Sequence, residues 1–356
     1  MTLQLRVSLA AACLAATACG VPESDSGMPE SAIVPLPAFA SLDVSPGGKA
    51  TYDAAVAFRT TLSESQATKL ILPIDSPLRR NWSNLPAGVT DFERNGLRLG
   101  DLQPDQLVAL FTFLAAGLGQ HGYDTVADVV TAEALLADSF LAGGFGWSAT
   151  NYWLAFFGEP RADDAWGWQF GGHHLAINVS LDRGRVVSMS PSFIGIEPAN
   201  YEFQGRHHAP FADELADGRT LMWALPGSLR DQALVGSRPR EVRAGPGKDG
   251  VVPVPEGGIV ADWPDDARGM LLDIVSHWLR LQPEENALPR LAAVEASLDD
   301  TRFAWHGAIE GEGDVYYRIQ GPSLIIEFWS EDGVGDDGGH YHSIYRDPTN
   351  EYGGTL

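Results

Sequence analysis

Apolar residues recur at helical spacing in several parts of the chain. The clearest repeat lies in residues 101–118, where Pro104 suits a first helical turn and one face carries Leu107, Leu110, Phe111, Leu114 and Leu118. Residues 265–281 show a second apolar face, which ends before Pro283. Shorter repeats of the same period predict further helices at 48–64, 126–140, 211–235 and 288–298.

Short aromatic or alternating runs predict strands in two blocks. The first block covers 152–157 and 165–190, and the second has runs at 303–305, 315–320, 323–329 and 340–345. Between the blocks, the Pro- and Gly-rich residues 236–264 predict a long loop or insertion. Because helices and strands come in blocks rather than in strict alternation, we predict an α+β fold, a mainly antiparallel sheet with helices packed against it.

One of the predicted strands changes its apolar face halfway along. In WGWQFGGHHLAIN (residues 166–178) the apolar residues stand at even positions before the double glycine and at odd positions after the histidines. A regular strand alternates strictly, so we predict a bulge at Gly171-Gly172. After the switch His174 lies on the polar face and is expected to face a site. His173 lies with the apolar residues and is expected to be buried and hydrogen-bonded.

The N-terminal residues predict export. Residues 1–19 combine a basic start at Arg6, a short apolar run and small residues, which is the pattern of a secretory signal peptide. The end of this pattern fits two alternatives. One is ordinary cleavage after Ala18, and the other is lipidation of Cys19 as at a bacterial lipobox, which we favour. We predict that residues 20–45 form a flexible tether and that residues 46–356 form a single globular domain. We therefore expect a lipid-anchored protein of the cell envelope, or a periplasmic or secreted one if Cys19 is not lipidated.

Charge and cysteine content exclude several classes of function. With 24 Lys and Arg against 47 Asp and Glu, the net charge is −23, which argues against nucleic acid and anionic lipid as partners. A lipid on Cys19 would then be the sole membrane contact. The two cysteines, Cys13 and Cys19, both precede the globular region, which excludes a disulfide scaffold, a cysteine-ligated zinc site and a cysteine nucleophile. The chain contains no phosphate-binding loop, dinucleotide fingerprint, His-Glu-x-x-His or Gly-x-Ser-x-Gly motif.

Histidines supply the candidate chemistry. His340 and His342 are two residues apart, so on a strand both side chains point to the same side, close enough to bind one metal ion. We predict that they meet His174 in a metal site, with His173 as a fourth ligand. A ligand set without thiolates suits a divalent transition metal such as Zn, Cu or Fe.

Two further residues are predicted to take part in catalysis on a small-molecule substrate. Glu327 lies among apolar residues, where burial would raise its pKa as a general base requires. Arg346 either orients an anionic substrate group or forms a local salt bridge with Asp347. The acidic, Gly-rich residues 331–337 are expected to close over the site, to bind a hard cation, or to form a solvated turn. Together these features predict a metal-dependent hydrolase or oxidoreductase.

The alternative hypothesis is a binding lipoprotein without catalytic activity. An aromatic cleft for a sugar or another small ligand would then be lined by Trp166, Trp168, Tyr341 and Tyr345. A further histidine pair, His207-His208, stands in a predicted loop and is expected to have a surface or accessory role.

Four segments, taken in order, resemble one protein family: WGWQFGGHHLAIN, PSFIGIEPA, YYRIQGPSLIIEF and HYHSIYRDPTNEYG. Over roughly residues 50–356 the chain is similar to the bacterial and fungal domain of unknown function 3500. The family's Gly-His-His-Leu segment falls on 172–175, and its terminal His-x-His-Ser and Arg-Asp-Pro fall on 340–343 and 346–348. Glu351 departs from the Asp of the family pattern, and His207-His208 is not part of it. The resemblance implies no established activity.

Overall fold

A mixed sheet of thirteen strands forms the centre of the fold. The computed structural model describes residues 36–89, 91–138, 144–311, 313–331 and 338–354. The predicted signal peptide, the first part of the tether and residues 332–337 of the acidic loop lie outside these described residues. None of the helices described combines the length and apolar character that a membrane crossing requires.

The helices of the described residues follow the apolar repeats, with shifted ends. They are α1 (Gly48–Thr60), α2 (Glu64–Leu70), α3 (Pro104–Ala137), α4 (Ala212–Ala224), α5 (Gly227–Ala233), α6 (Asp265–Leu279) and α7 (Glu284–Glu295). Pro104 stands in the first turn of α3, as its fixed φ favours. The two helices predicted at 101–118 and 126–140 are the arms of α3, which is kinked at Gly119, where φ is 71°. The repeat at 211–235 is divided into α4 and α5 by Pro226.

The strands of the described residues belong to the large sheet, apart from one small hairpin formed by β8 and β9. They are β1 (Ile71–Leu72), β2 (Leu97–Arg98), β3 (Tyr152–Phe157), β4 (Ala165–Gly172), β5 (Leu175–Asp182), β6 (Arg185–Ser188), β7 (Ser192–Ile196), β8 (Tyr201–Phe203), β9 (Arg206–His208), β10 (Leu234–Gly236), β11 (Gly258–Ile259), β12 (Arg302–Gly307), β13 (Val315–Gly321), β14 (Leu324–Glu331) and β15 (His340–Arg346). The main path of the sheet runs β1-β3-β4-β5-β7-β15-β14-β13-β12-β10.

The predicted mainly antiparallel α+β fold was wrong. The sheet is mixed, because β1 pairs parallel with β3 and β10 pairs parallel with β12, one pair at each end of the main path. Helix makes up 40% and strand 24% of the described residues. The two parallel strands span only two and three residues and follow directly on α2 and α5. Their direction depends on where these helices place the chain, which the block pattern of helices and strands does not show.

The two faces of the sheet are covered differently. One face packs against the helices, where the buried Trp168 ring meets Phe113 of α3 with ring centroids 5.3 Å apart. The other face carries a second apolar cluster that includes Phe193, Trp329 and Ile344. Residues 237–257, which we call the covering segment, lie over this second face, where Val242 and Ala244 join the cluster. The side of β15 that carries His340 and His342 belongs to this second face, over which the covering segment lies.

Candidate metal centre

His173 and His174 form the loop of a tight hairpin between β4 and β5. Gly172 pairs with Leu175 across the hairpin, so the loop has two residues. The expected bulge at Gly171-Gly172 was therefore wrong: the chain reverses there, which also moves the apolar residues from even to odd positions. His174 adopts a left-handed backbone conformation, with a φ of 62°. Few residues other than glycine adopt it, and His does so more often than most of them.

Strand β7 brings this hairpin against β15. The backbone N–H of Gly195 on β7 donates to the carbonyl oxygen of His174 at 2.7 Å, and Gly195 is also the register partner of His342. On β15, His340 and His342 project to one side of the sheet, as a spacing of two predicts. Two segments more than 160 residues apart in the chain thus meet across a single strand.

Three imidazole nitrogens converge at this point. The Nε2 atom of His340 lies 3.0 Å from Nε2 of His174 and 2.9 Å from Nε2 of His342. These three residues form a group whose candidate ligand atoms all lie within 4.8 Å of one another. His174 and His342 are buried, while the side chain of His340 is 18% exposed and forms the accessible side of the cluster.

Carboxylates hold the outer nitrogens of two of these rings. The Nδ1 atom of His342 lies 2.9 and 2.8 Å from the two oxygens of Glu241, and Nδ1 of His340 lies 3.4 Å from Glu331. Because a carboxylate only accepts hydrogen bonds, these Nδ1 atoms are the donors, and in a neutral ring Nε2 is then left with a lone pair. Two such lone pairs at 2.9 Å repel unless a proton or a metal ion lies between them. Carboxylate-bound histidines of this kind are typical of metal ligands.

Burial keeps two of the rings neutral. It lowers the pKa of His174 well below its ordinary value, and the neighbouring His173 lowers that pKa further. Burial also lowers the pKa of His342, against the opposing effect of the hydrogen bond to Glu241. The hydrogen bond to His340 in turn holds the pKa of Glu331 below its usual value. The neutral imidazole is the protonation state that a metal ligand needs.

His173 lies behind His174 and is buried and hydrogen-bonded. Its ring stacks on that of His174 with centroids 3.7 Å apart, and its Nδ1 lies 2.6 Å from Glu133 on α3. Glu133, His173 and His174 form a second group with metal-ligand spacing. The predicted fourth ligand therefore adjoins the three-histidine cluster, with one nitrogen already engaged by a carboxylate.

Glu327 and Arg346 are buried on the histidine-bearing face and contact the covering segment. Glu327 Oε2 accepts hydrogen bonds from the backbone N–H groups of Arg243 and Ala244, at 2.5 and 3.1 Å. Burial raises the pKa of Glu327, as expected, while these N–H groups and Arg318 act in the opposite direction. Arg346 binds Glu351 and donates to the carbonyl oxygen of Val251 at 3.0 Å. These contacts leave the catalytic roles of Glu327 and Arg346 as predictions.

The side chains of the other candidate residues do not join the three histidines; that of Tyr341, between His340 and His342, lies on the opposite face of β15. Trp166 and Trp168 are buried in the core, while Tyr341 and Tyr345 line two different cavities, of about 470 and 540 Å³. No shared cleft joins these four aromatics in the described part of the chain. His207 and His208 lie on strand β9, so the loop predicted for them was wrong; His207 lies 3.1 Å from Glu202, and His208 lies 2.8 Å from Asp128.

Sequence reasoning missed three neighbours of the histidines. Glu241 lies in the covering segment, which has no periodicity, so no signal singled it out. Glu133 lies within the apolar repeat of α3, and that repeat predicted a helix but no role for this carboxylate. Trp329, whose ring stacks on His342 with centroids 5.3 Å apart, could have been found, because alternation places it on the same face of β14 as Glu327.

Comparison with known proteins gives one match. The family model described as "Protein of unknown function (DUF3500)" matches residues 47–354, nearly the whole chain. No curated protein and no solved structure matches the chain.

Proposed function

Because the chain belongs to the DUF3500 family, whose description names no activity, we propose a function from the site itself: a metal-dependent enzyme. In this proposal, a divalent transition metal ion is bound by Nε2 of His174, His340 and His342. The observation that carries the proposal is that Nε2 of His340 lies 3.0 Å from Nε2 of His174 and 2.9 Å from Nε2 of His342, while carboxylates hold Nδ1 of two of the rings.

The number of ligands favours a catalytic ion over a structural one. Structural zinc sites are closed by four protein ligands, whereas catalytic sites keep three and leave a position for water or substrate. Here three nitrogens converge, and the exposed side of His340 offers an approach for a small molecule. A bound ion would act as a Lewis acid or activate water. Nitrogen ligands without thiolates suit Zn, Cu and Fe, and the choice among them separates a hydrolase from an oxidoreductase.

Metal analysis of protein purified without a histidine tag tests the proposal. We expect about one ion per chain in the wild type, and its loss in His342→Ala and His174→Asn. Asn is chosen at 174 because, like His, it tolerates a left-handed backbone. His207→Ala is the matched control, since this histidine is exposed and its ring contacts the exposed Glu202 rather than the three histidines. A wild type with little metal, not lowered further in the site variants, would refute metal binding.

Export to the cell envelope is part of the same proposal. It is supported by the secretory pattern of residues 1–19 and by the position of Cys19 at the end of that pattern. Fractionation of cells that express the wild type and Cys19→Ser provides the test. We expect the wild type in the membrane fraction and the variant in the soluble exported fraction, whereas recovery of both from the cytoplasm would contradict export.

A further inference from the structure

Buried side chains of the sheet hold the covering segment along its whole length. Near its start, Trp329 Nε1 donates to the carbonyl oxygen of Pro239 at 2.9 Å. In its middle, Glu327 accepts from the N–H groups of Arg243 and Ala244. Near its end, Gln320 Nε2 donates to the carbonyl oxygen of Pro253 at 2.7 Å. The segment has no regular secondary structure of its own, so its path depends on contacts such as these.

Glu241 lies between the first two of these anchors. Its side chain is 44% exposed, yet both carboxylate oxygens stay within 2.9 Å of His342 Nδ1. An exposed glutamate on a free loop would sample many rotamers. The backbone on either side of Glu241 is held at Pro239 and Arg243, which restricts where the carboxylate can lie.

We infer that Glu327 is a positioning residue of the metal centre: it acts through the backbone of Arg243 and Ala244 on Glu241, and through Glu241 on His342. The inference rests on the proposed metal-binding function. The contacts of Glu327 support it: they reach Arg318 on β13 and the segment that carries Glu241, and none of those given for the described residues reaches a histidine. A neutral amide in place of this carboxylate would hold the two N–H groups less strongly, because charge-assisted hydrogen bonds are the stronger ones, and the segment would be freer to shift.

The test is a double-mutant cycle on metal affinity, with Zn²⁺ titrated against a chromophoric chelator. Loss of an outer carboxylate typically weakens metal binding about 10–100-fold, and we expect a Kd increase in that range for Glu241→Gln. Glu327→Gln should raise the Kd in the same direction. If Glu327 acts through Glu241, the double variant binds no more weakly than the weaker single variant. Additive effects of the two substitutions would overturn the inference.

Gln320→Met is the matched control, because it removes an anchor at the far end of the same segment. An unchanged Kd is expected; a rise equal to that of Glu327→Gln would show general loosening and overturn the inference. If Glu327→Gln does not fold, Glu327→Asp takes its place in the cycle, since it keeps the charge and shortens the reach by one methylene.

A metal-free readout separates this inference from the proposed function. In metal-free protein, long-range ¹H–¹⁵N spectra report which nitrogen of His342 carries the proton. We expect the Nδ1–H form in the wild type and in Gln320→Met, and a mixture of forms in Glu241→Gln and Glu327→Gln. Wild-type protein that binds no Zn²⁺ but shows this pattern would refute the proposed function alone. An Nδ1–H form unchanged in Glu327→Gln would refute the positioning role.

Discussion

Gly195 is the point where a single methyl group should disturb the proposed metal centre most directly. The residue lies on β7 between the two histidine segments, paired with His342 and hydrogen-bonded to His174. A Cβ atom built there would lie 2.7 Å from Cδ2 of His342 and 2.9 Å from Cδ2 of His174. Gly195→Ala therefore places its methyl group against two of the three proposed ligands.

The size of the effect follows from these distances. Carbon atoms pack at about 3.5–4.0 Å, so both rings or the strand must move by roughly 0.5–1 Å. A functional site tolerates displacements of only about 0.5 Å, and zinc–nitrogen bonds are about 2.0–2.1 Å long. We therefore expect the metal Kd to rise at least about tenfold, equivalent to about 1.4 kcal/mol. Overpacking should also lower the free energy of unfolding by about 1–3 kcal/mol.

Competition with a chromophoric chelator measures the Kd, and urea unfolding of the metal-free protein measures the stability. Gly269→Ala in α6 is the matched control, because a Cβ there meets no atom within 4 Å. The control should bind metal as the wild type does and be slightly more stable, since Ala favours helix over Gly. Wild-type metal affinity in Gly195→Ala would refute the assignment of His174 and His342 as ligands.

Two further predictions concern stability away from the metal. Burial raises the pKa of Glu214 to about 8, so the folded state keeps a proton that the unfolded state loses above its ordinary pKa near 4.5. The free energy of unfolding should therefore fall as the pH rises from about 4.5 through 8. Glu214→Gln should remove this fall, on the order of 1.4 kcal/mol per unit of pKa shift. Parallel pH profiles of the two proteins in urea would contradict this. Arg346→Ala should lower the free energy of unfolding by about 3–5 kcal/mol, because it leaves the Glu351 carboxylate without its buried partner. Arg346→Lys, which keeps the charge, should lower the free energy of unfolding by less. An Arg346→Ala variant as stable as the wild type in urea would show that the ion pair is dispensable.

Apolar periodicity predicted the long elements well and the short ones poorly. The repeats at 101–118 and 265–281 correspond to the first arm of α3 and to α6. The parallel pairing of β1 and β10 was not predicted, because a strand of two or three residues has no pattern that indicates its direction. Their pairing with β3 and β12 depends on where α2 and α5 place the chain, which no local pattern encodes.

The switch of apolar face near the double glycine was a real signal with two structural explanations. A bulge and a two-residue hairpin both exchange even and odd positions, because each breaks the strict alternation of a strand. Which of the two structures forms depends on whether the chain continues in the same direction or reverses. Pairing of Gly172 with Leu175 shows that it reverses, and the reversal places His174 in the loop beside Gly195.

By itself, the sequence determined which side chains share a face, because alternation and helical period are properties of neighbouring residues. It thereby placed His340 and His342 together and marked the double-histidine segment as the other half of a site. The tertiary structure alone decided what surrounds them. Glu241 reaches His342 from the covering segment, and Glu133 reaches His173 from α3. Such contacts join residues far apart in the chain, and they follow from the packing of whole elements rather than from any local pattern.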